Sequence, residues 1–92
     1  MAAYKLLFKQ SSQKDLSKIP KSILKNIISK LNRFETDPFP HGHIKLSGSN
    51  EFYRIRVGDY RIIYSVDSKL KSVIVWYIRH RKDVYKVIKR IN

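Results

Sequence analysis

The sequence predicts a single α+β domain, in which a small antiparallel β-sheet carries two N-terminal helices on one face and ends in a C-terminal helix. Three observations predict this class. The chain has 92 residues, a length typical of one domain. Short apolar stretches with strand character occupy 4–8 and much of 52–79. Apolar residues recur at helical spacing between these stretches and after them. The element order over residues 1–92 is therefore β-α-α-β-β-β-α, with the helices mainly on one face of the sheet.

The N-terminal half contains one strand, two helices and a loop. Tyr4–Phe8 is predicted as a short strand, and Ser11 or Ser12 is predicted to cap the first helix. Pro20 suits the first turn of the second helix. Residues 36–43, TDPFPHGH, are predicted as a loop by their prolines and glycine. The apolar stripe of the second helix comprises Ile23, Leu24, Ile27, Ile28, Leu31 and Phe34.

The stretch FYRIRVGDYRIIY, residues 52–64, predicts a β-hairpin that concentrates positive charge. Glycine at the first position of Gly58-Asp59 suits a two-residue type II′ turn, and such a turn fixes the register of the two strands. Side chains alternate between the two faces of a sheet, so one face is mostly apolar and the other is basic. The predicted pairs are Val57–Tyr60, Ile55–Ile62 and Tyr53–Tyr64 on the first face, and Arg56–Arg61 and Arg54–Ile63 on the second.

One more strand, the fourth in the predicted order, and a helix complete the chain. Val73–Arg79 is apolar on both faces, which predicts a central strand, and it follows a turn at 67–71. Residues 80–92, HRKDVYKVIKRIN, are predicted as a helix, with Asp83 near its start where a carboxylate favours the helix dipole. The apolar side of this helix comprises Val84, Val87, Ile88 and Ile91.

The charge balance is the strongest global signal. Lys and Arg total 20 against 7 acidic residues, a net charge of +13. This excess predicts a polyanionic partner: nucleic acid, an acidic protein or an anionic membrane surface. Solubility alone would not require arginines on strands. Like charges placed directly across a sheet are destabilising, and arginine binds phosphate through two parallel hydrogen bonds. Only Asp59 and Asp67 lie in or just after the hairpin, so we expect Arg54, Arg56 and Arg61 to bind an anion.

Other classes of site and location are disfavoured. The chain has no cysteine, which excludes disulfides and thiolate metal sites and is consistent with the reducing cytoplasm where we expect the protein to reside. His41 and His43 are too few for a metal site, and no cofactor is predicted. The N-terminus lacks the apolar run of a signal peptide. No apolar stretch approaches the roughly 20 residues that span a bilayer.

Further candidates lie around the end of the last predicted strand. Arg79 and Arg81 come where the strand ends, and Tyr85 follows about one helical turn later. Tyr85 is either an exposed aromatic that stacks on a base or offers a hydroxyl, or a core residue of the terminal helix. His80 is either a proton carrier or a structural residue.

Two motifs resemble one family. RIRVGDYRIIY, residues 54–64, and RHRKDVY, residues 79–85, resemble the RelE toxin family of the RelE/ParE superfamily, whose members belong to type II toxin–antitoxin modules. HIKLSG, residues 43–48, resembles the segment that leads into the hairpin in that family, and the resemblance covers nearly the whole chain. It implies a ribosome-dependent mRNA endoribonuclease that cuts mRNA in the ribosomal A site through attack by the ribose 2′-hydroxyl, without a metal. The site it implies comprises Arg54, Arg56, Arg61, Arg81 and Tyr85, with Arg79 and His80 as additional candidates.

The strand-end arginine of the family can be matched to either of two positions in this chain, which lie two residues apart. Counting back from Tyr85 favours Arg79, whereas the HR motif favours Arg81, which we prefer. Some family members have lysines where this chain has Arg54 and Arg56. Arginine stays protonated and cannot easily serve as a general base. The base is therefore expected to be Tyr85, His80 or a ribosomal group, while the arginines clamp phosphate.

The resemblance also implies binding partners for the protein, and it leaves other functions open. It implies an acidic RelB-like antitoxin, the 70S ribosome and mRNA, no membrane, a monomeric free toxin and a hetero-oligomeric toxin–antitoxin complex. One alternative is a ParE-like DNA gyrase inhibitor without ribonuclease activity, and another is a non-catalytic nucleic-acid-binding module. The arginines together with Tyr85 favour the ribonuclease, since gyrase inhibition needs no phosphate clamp.

Overall fold

A computed structural model describes residues 3–46 and 51–91. It confirms the α+β class and the predicted order of the elements, and adds a two-residue strand ahead of the hairpin. Ser47 and Gly48 of the HIKLSG segment lie outside the described residues. The elements are β1 (Lys5–Phe8), α1 (Gln10–Ser17), α2 (Lys21–Arg33), β2 (Ile44–Lys45), β3 (Phe52–Val57), β4 (Tyr60–Asp67), β5 (Ser72–His80) and α3 (Val84–Ile91).

The five strands form one sheet in the order β1-β5-β4-β3-β2. Strands β2 to β5 pair antiparallel, because short connections return the chain alongside itself. Strand β1 is separated from its neighbour β5 by most of the chain and runs parallel to it. Strand β5 therefore lies between β1 and β4, which confirms its prediction as a central strand.

The hairpin has the predicted register. Arg56 lies opposite Arg61, and the five remaining pairs continue in step from Val57–Tyr60 to Phe52–Ser65. Gly58 has φ of +58°, the left-handed value that the first turn position requires. The two residues of the turn thus decide which side chains share a face.

The larger core lies between the sheet and the first two helices. Ile27, Leu31 and Phe34 of the α2 segment are buried against the sheet, where Ile62 and Tyr64 are fully buried. Burial is also the main cause that raises the pKa of Tyr64, and its hydroxyl donates to the carbonyl of Pro38 at 2.9 Å.

One residue of the predicted α2 stripe does not reach the sheet. Ile28 is 45% exposed, whereas Ile27 beside it is fully buried. Successive residues on a helix point about 100° apart, so the helix buries a narrower stripe than its apolar sequence covers.

Helix α3 lies on the opposite face, so the expectation of helices mainly on one face holds for α1 and α2 alone. Val84 is buried there, in a second core that includes Phe52, Ile63 and Trp76, and Val87 of the same helix is also buried. Strands β4 and β5 are apolar on both sides, and each side therefore requires a helix to cover it.

Helix α1 begins before the predicted serine cap. Its N-cap is Lys9, with no side-chain hydrogen bond to the first turn. The hydroxyl of Ser12 donates to the carbonyl of Lys9 at 2.7 Å, and the hydroxyl of Ser11 donates to the carbonyl of Trp76. The capping prediction is wrong because both hydroxyls bind carbonyls, and Ser11 ties α1 to the edge of β5 beyond the end of β1.

Candidate nucleic-acid interface and active site

Three arginines of the hairpin share one face of the sheet. Arg56 of β3 lies opposite Arg61 of β4, and Arg54 lies two residues along β3 from Arg56. The neighbouring positions Ile55 and Ile62 enter the core beneath α1 and α2. Because side chains alternate across a strand, the arginines lie on the other face, the one that α3 partly covers.

Arg61 is held in place by the turn. Its Nη1 donates to the carbonyl of Gly58 at 3.1 Å and to the carbonyl of Tyr60 at 3.0 Å. Partial burial lowers the pKa of Arg61, as do the positive charges of Arg56, Arg54 and Arg81, in that order, while Asp59 acts in the opposite direction. The guanidinium groups of Arg54, Arg56 and Arg81 are thus within electrostatic reach of that of Arg61. We call Arg54, Arg56, Arg61 and Arg81 the arginine cluster.

The backbone brings Arg81 into this cluster. The N–H of Arg81 donates to the carbonyl of Asp59 at 2.7 Å, which ties the chain beyond β5 to the tip of the hairpin. The Nε of Arg81 lies 3.9 Å from Oδ1 of Asp59, with both side chains exposed. Such an exposed pair at long range contributes little, so the guanidinium of Arg81 stays available to an external anion.

The cluster is short of internal counter-charge. Among residues 3–46 and 51–91 there are two ion pairs, Arg81–Asp59 and Arg79–Asp15. Within these ranges, no carboxylate lies within ion-pair distance of Arg54, Arg56 or Arg61. The sheet therefore presents a concentrated positive charge that an external polyanion can neutralise.

Tyr85 is on the surface next to the cluster. It lies in the first turn of α3 and is 65% exposed, so its interpretation as a core aromatic is wrong. Val84 takes the core position instead. Tyr85 and Arg54 line a groove of about 320 Å³, together with Ile44, Lys45, Leu46 and Ile88. A phenol and a guanidinium thus face the same open space.

His80 lies away from the cluster. It is opposite Tyr60, with ring centroids 5.5 Å apart, and Tyr60 packs on the core beneath α1 and α2. Its Nδ1 accepts a hydrogen bond from the N–H of Lys82 at 3.2 Å, at the entry to α3. The sheet therefore separates the His80 ring from the arginine cluster, which favours the structural interpretation.

Arg79 is also held apart from the cluster, by a residue that the sequence analysis missed. Asp15 of α1 is buried, and both of its carboxylate oxygens lie 2.9 Å from Nε of Arg79. Asp15 also accepts the backbone N–H of Ile78 at 3.0 Å. The one available signal in the sequence was that Asp15 is the sole acidic residue in the segment 1–34.

The described residues show neither a metal site nor a membrane span. Across 3–46 and 51–91, no three His, Cys, Asp or Glu side chains are grouped as a metal site would require. No helix in those ranges is long and apolar enough to cross a bilayer.

Comparison with known proteins identifies the family. Residues 6–85 match the model of the ParE toxin of the type II toxin–antitoxin system parDE. The chain is 33% identical over 90 residues to toxin RelE3 of Methanocaldococcus jannaschii, covering 88% of this chain and 94% of that toxin. The chain belongs to the RelE/ParE family of type II toxins.

Solved structures of the family have the same fold. The chain resembles RelE in the archaeal RelE–RelB complex of Pyrococcus horikoshii with a TM-score of 0.76 and 31% identity, over 86% of this chain and 96% of that one. It resembles a free RelE mutant of E. coli with a TM-score of 0.76 and 27% identity, over all of both chains. The predicted RelE resemblance and the predicted fold are both confirmed, and the protein is a toxin of a type II toxin–antitoxin module.

Proposed function

We propose that this toxin is a ribosome-dependent endoribonuclease that cleaves mRNA in the ribosomal A site. The observation that carries the proposal is the arginine cluster, in which three arginines of one sheet face and Arg81, just beyond the end of β5, lie next to an exposed tyrosine. Arginines that repel one another within a fold are stabilised when they share a phosphate. RNA supplies that phosphate and, in its 2′-hydroxyl, an internal nucleophile.

In the proposed reaction, the 2′-oxygen attacks the adjacent phosphorus, and the bond from phosphorus to the 5′-oxygen breaks. The products are a 2′,3′-cyclic phosphate and a free 5′-hydroxyl, and the proton lost from the 2′-hydroxyl is balanced by one gained at the leaving oxygen. Negative charge grows on the phosphoryl oxygens in the transition state. Arg61, already fixed by two carbonyls, is suited to bind it without reorganisation.

Tyr85 is the proposed proton acceptor or positioning group for the 2′-hydroxyl. It shares a groove with Arg54, so its phenol can approach the nucleotide whose phosphate Arg54 binds. His80 lies on the other face of the sheet, and Nε of Arg79 is engaged by Asp15. With a single proton-transfer candidate beside the arginines, the free toxin is expected to be a poor nuclease that needs the ribosome to align its substrate.

The proposal is tested by analysing the ends of mRNA cut in a purified translation system. Wild type should yield cyclic phosphate and 5′-hydroxyl ends. Arg61→Gln should slow cleavage by about 10²–10³-fold, the usual cost of one preorganised donor. Lys25→Gln removes an exposed cation on α2 and serves as the matched control, with an unchanged rate. Equal rates for wild type and Arg61→Gln would contradict the proposed site.

The second candidate is inhibition of DNA gyrase. The matching family model is named for the ParE toxin, which favours this alternative. A supercoiling assay separates the two functions: gyrase inhibition by wild type, unaffected by Arg61→Gln, together with intact mRNA, would replace the ribonuclease proposal.

A RelB-like antitoxin is the proposed partner of this toxin in the cytoplasm. The Pyrococcus relative was solved as a RelE–RelB complex. The net charge of +13 calls for an acidic partner, and the arginine cluster, which is short of internal counter-charge, is a suitable surface for it. Expression from the native operon should yield a complex with an acidic protein that dissociates in high salt. Recovery of the toxin alone at low salt would contradict this part of the proposal.

A further inference from the structure

The loop at 36–43 is held in a fixed conformation by hydrogen bonds at both of its prolines. The hydroxyl of Tyr64, in the core, donates to the carbonyl of Pro38 at 2.9 Å. The carbonyl of Pro40 accepts the backbone N–H of His43 at 3.1 Å and its ring Nδ1–H at 2.9 Å. The backbone of the loop and the ring of His43 are therefore fixed before any ligand binds.

Phe39 is displayed on this loop, at the surface. It is 38% exposed, and its N–H donates to Oδ1 of Asp37 at 3.0 Å. The centroid of its ring lies 5.2 Å from that of Tyr53 and 5.5 Å from that of His43, and the last two are 5.8 Å apart. We call Phe39, His43 and Tyr53 the aromatic trio. The three rings support one another and leave Phe39 partly open to solvent.

The aromatic trio lies at the β2 edge of the sheet. Tyr53 packs against the core beneath α1 and α2, whereas the adjacent Arg54 lies on the other face. Strand β2 has only two residues, and it pairs Ile44 with Arg54 and Lys45 with Tyr53. Lys45 is exposed and also lines the groove of Arg54 and Tyr85. The groove and the aromatic trio are therefore connected around one short edge strand.

Exposed aromatic rings beside a cation form a surface suited to unpaired RNA bases. Every base has a flat face that stacks on an aromatic side chain, while positive charge holds the backbone. Lys45 supplies a cation next to the aromatic trio, and the net charge of +13 favours a polyanionic strand. In the proposed function the groove already holds the RNA substrate. The same strand can pass around β2 and reach the aromatic trio.

We propose that the aromatic trio is a base-binding subsite, in which Phe39 stacks on an unpaired base of the RNA strand that the arginine cluster binds. This inference rests on the proposed function, because the cluster fixes the strand. It adds a contact on the opposite face of the sheet, away from the bond that is cut. Phe39 is therefore a binding residue that touches none of the reacting atoms, and it lengthens the stretch of RNA that the toxin contacts.

Binding of single-stranded RNA without ribosomes, measured by fluorescence anisotropy, tests the subsite. The two probes are an oligoadenylate and a ribose-phosphate chain of equal length that lacks the bases. Phe39→Ala should weaken binding of the oligoadenylate by about 5–150-fold, the usual loss for one stacked base, and leave binding of the abasic chain unchanged. Phe39→Tyr should retain wild-type affinity. The slope of log K against log salt should not change in either variant, because no phosphate contact is lost.

Leu7→Ala is the matched control for loss of an exposed apolar side chain. Leu7 is 47% exposed and lies in β1, at the opposite edge of the sheet, so this variant should bind both probes like wild type. Phe39→Leu keeps an apolar side chain without a flat ring, and it replaces Phe39→Ala if that variant does not fold. Unchanged oligoadenylate binding by these Phe39 variants would overturn the subsite, and a weaker complex with the acidic antitoxin would then assign the aromatic trio to that protein. Equal weakening for both probes would also overturn it, since this result is expected if Phe39 only supports the fold.

Arg61→Gln separates this subsite from the proposed function. It should weaken binding of both probes and make the salt slope shallower by about 0.7, the contribution of one phosphate contact. If it does not, while Phe39→Ala behaves as expected, phosphate binding by the cluster fails, and with it the basis of the proposed ribonuclease. If Arg61→Gln behaves as expected while Phe39→Ala does not, the subsite alone is wrong.

Discussion

Removing one charge from the arginine cluster should stabilise the toxin while impairing its binding of RNA. Arg56 is exposed and lies directly opposite Arg61, with no carboxylate within ion-pair distance in the described parts of the chain. A like-charge pair at this cross-strand position costs about 0.2–1 kcal/mol. Arg56→Gln should therefore raise the free energy of unfolding by about 0.5 kcal/mol at low salt, or the melting temperature by roughly 2–4 °C.

The stabilisation by Arg56→Gln should not change with pH over the range in which arginine stays protonated. The pKa of Arg61 is lowered in the folded state, first by burial and then by Arg56. The protonated form is therefore disfavoured by folding, and that cost is present at every pH below the pKa of the folded state. The gain from Arg56→Gln should be the same in mildly acidic and mildly basic buffer.

Urea denaturation at two salt concentrations measures the gain. Repulsion is screened over about 10 Å at 0.1 M salt and about 3 Å at 1 M. The difference between Arg56→Gln and wild type should therefore shrink in high salt. Lys25→Gln on α2 is the matched control, since Lys25 lies away from the cluster. A destabilised Arg56→Gln variant, or a gain equal to that of Lys25→Gln, would refute the account of mutual repulsion.

Three other substitutions test the packing and the site. Ile27→Ala should cost about 2–5 kcal/mol of unfolding free energy, because Ile27 is fully buried. Ile28→Ala, on the exposed side of the same helix, should cost under about 1 kcal/mol. Tyr64→Phe removes the hydrogen bond to the buried carbonyl of Pro38 and should cost about 1–3 kcal/mol. Tyr85→Phe should leave urea stability within about 0.5 kcal/mol and slow ribosome-dependent cleavage by about 10²–10⁴-fold. Equal losses for Ile27→Ala and Ile28→Ala, unchanged stability of Tyr64→Phe, or unchanged cleavage by Tyr85→Phe would each contradict the corresponding assignment.

The hairpin could be predicted from the sequence because its information is local. The Gly58-Asp59 pair favours a two-residue turn, and the alternation of side chains then places Arg54, Arg56 and Arg61 on one face. The apolar stripe of α2 also predicted the main core, apart from Ile28, which lies at the border of that stripe.

The remaining features depend on long-range contacts. Asp15 meets Arg79 across 64 residues, a pairing that no local pattern encodes. Tyr85 lies three residues before the half-buried Ile88, so it sits at the border of the apolar side of α3, and helical spacing alone could not decide its exposure. The sequence also did not decide which face of the sheet α3 covers, because β5 is apolar on both sides and either side could pack against a helix.

The measurement that tests the central claim most directly is mRNA cleavage by the purified toxin with and without ribosomes, with the cut sites mapped by primer extension. The account predicts cuts in the A-site codon when ribosomes are present, loss of these cuts in Arg61→Ala and Arg81→Ala, and at most slow cleavage of free mRNA. Intact mRNA in the presence of translating ribosomes, or equal cutting by wild type and Arg61→Ala, would contradict it.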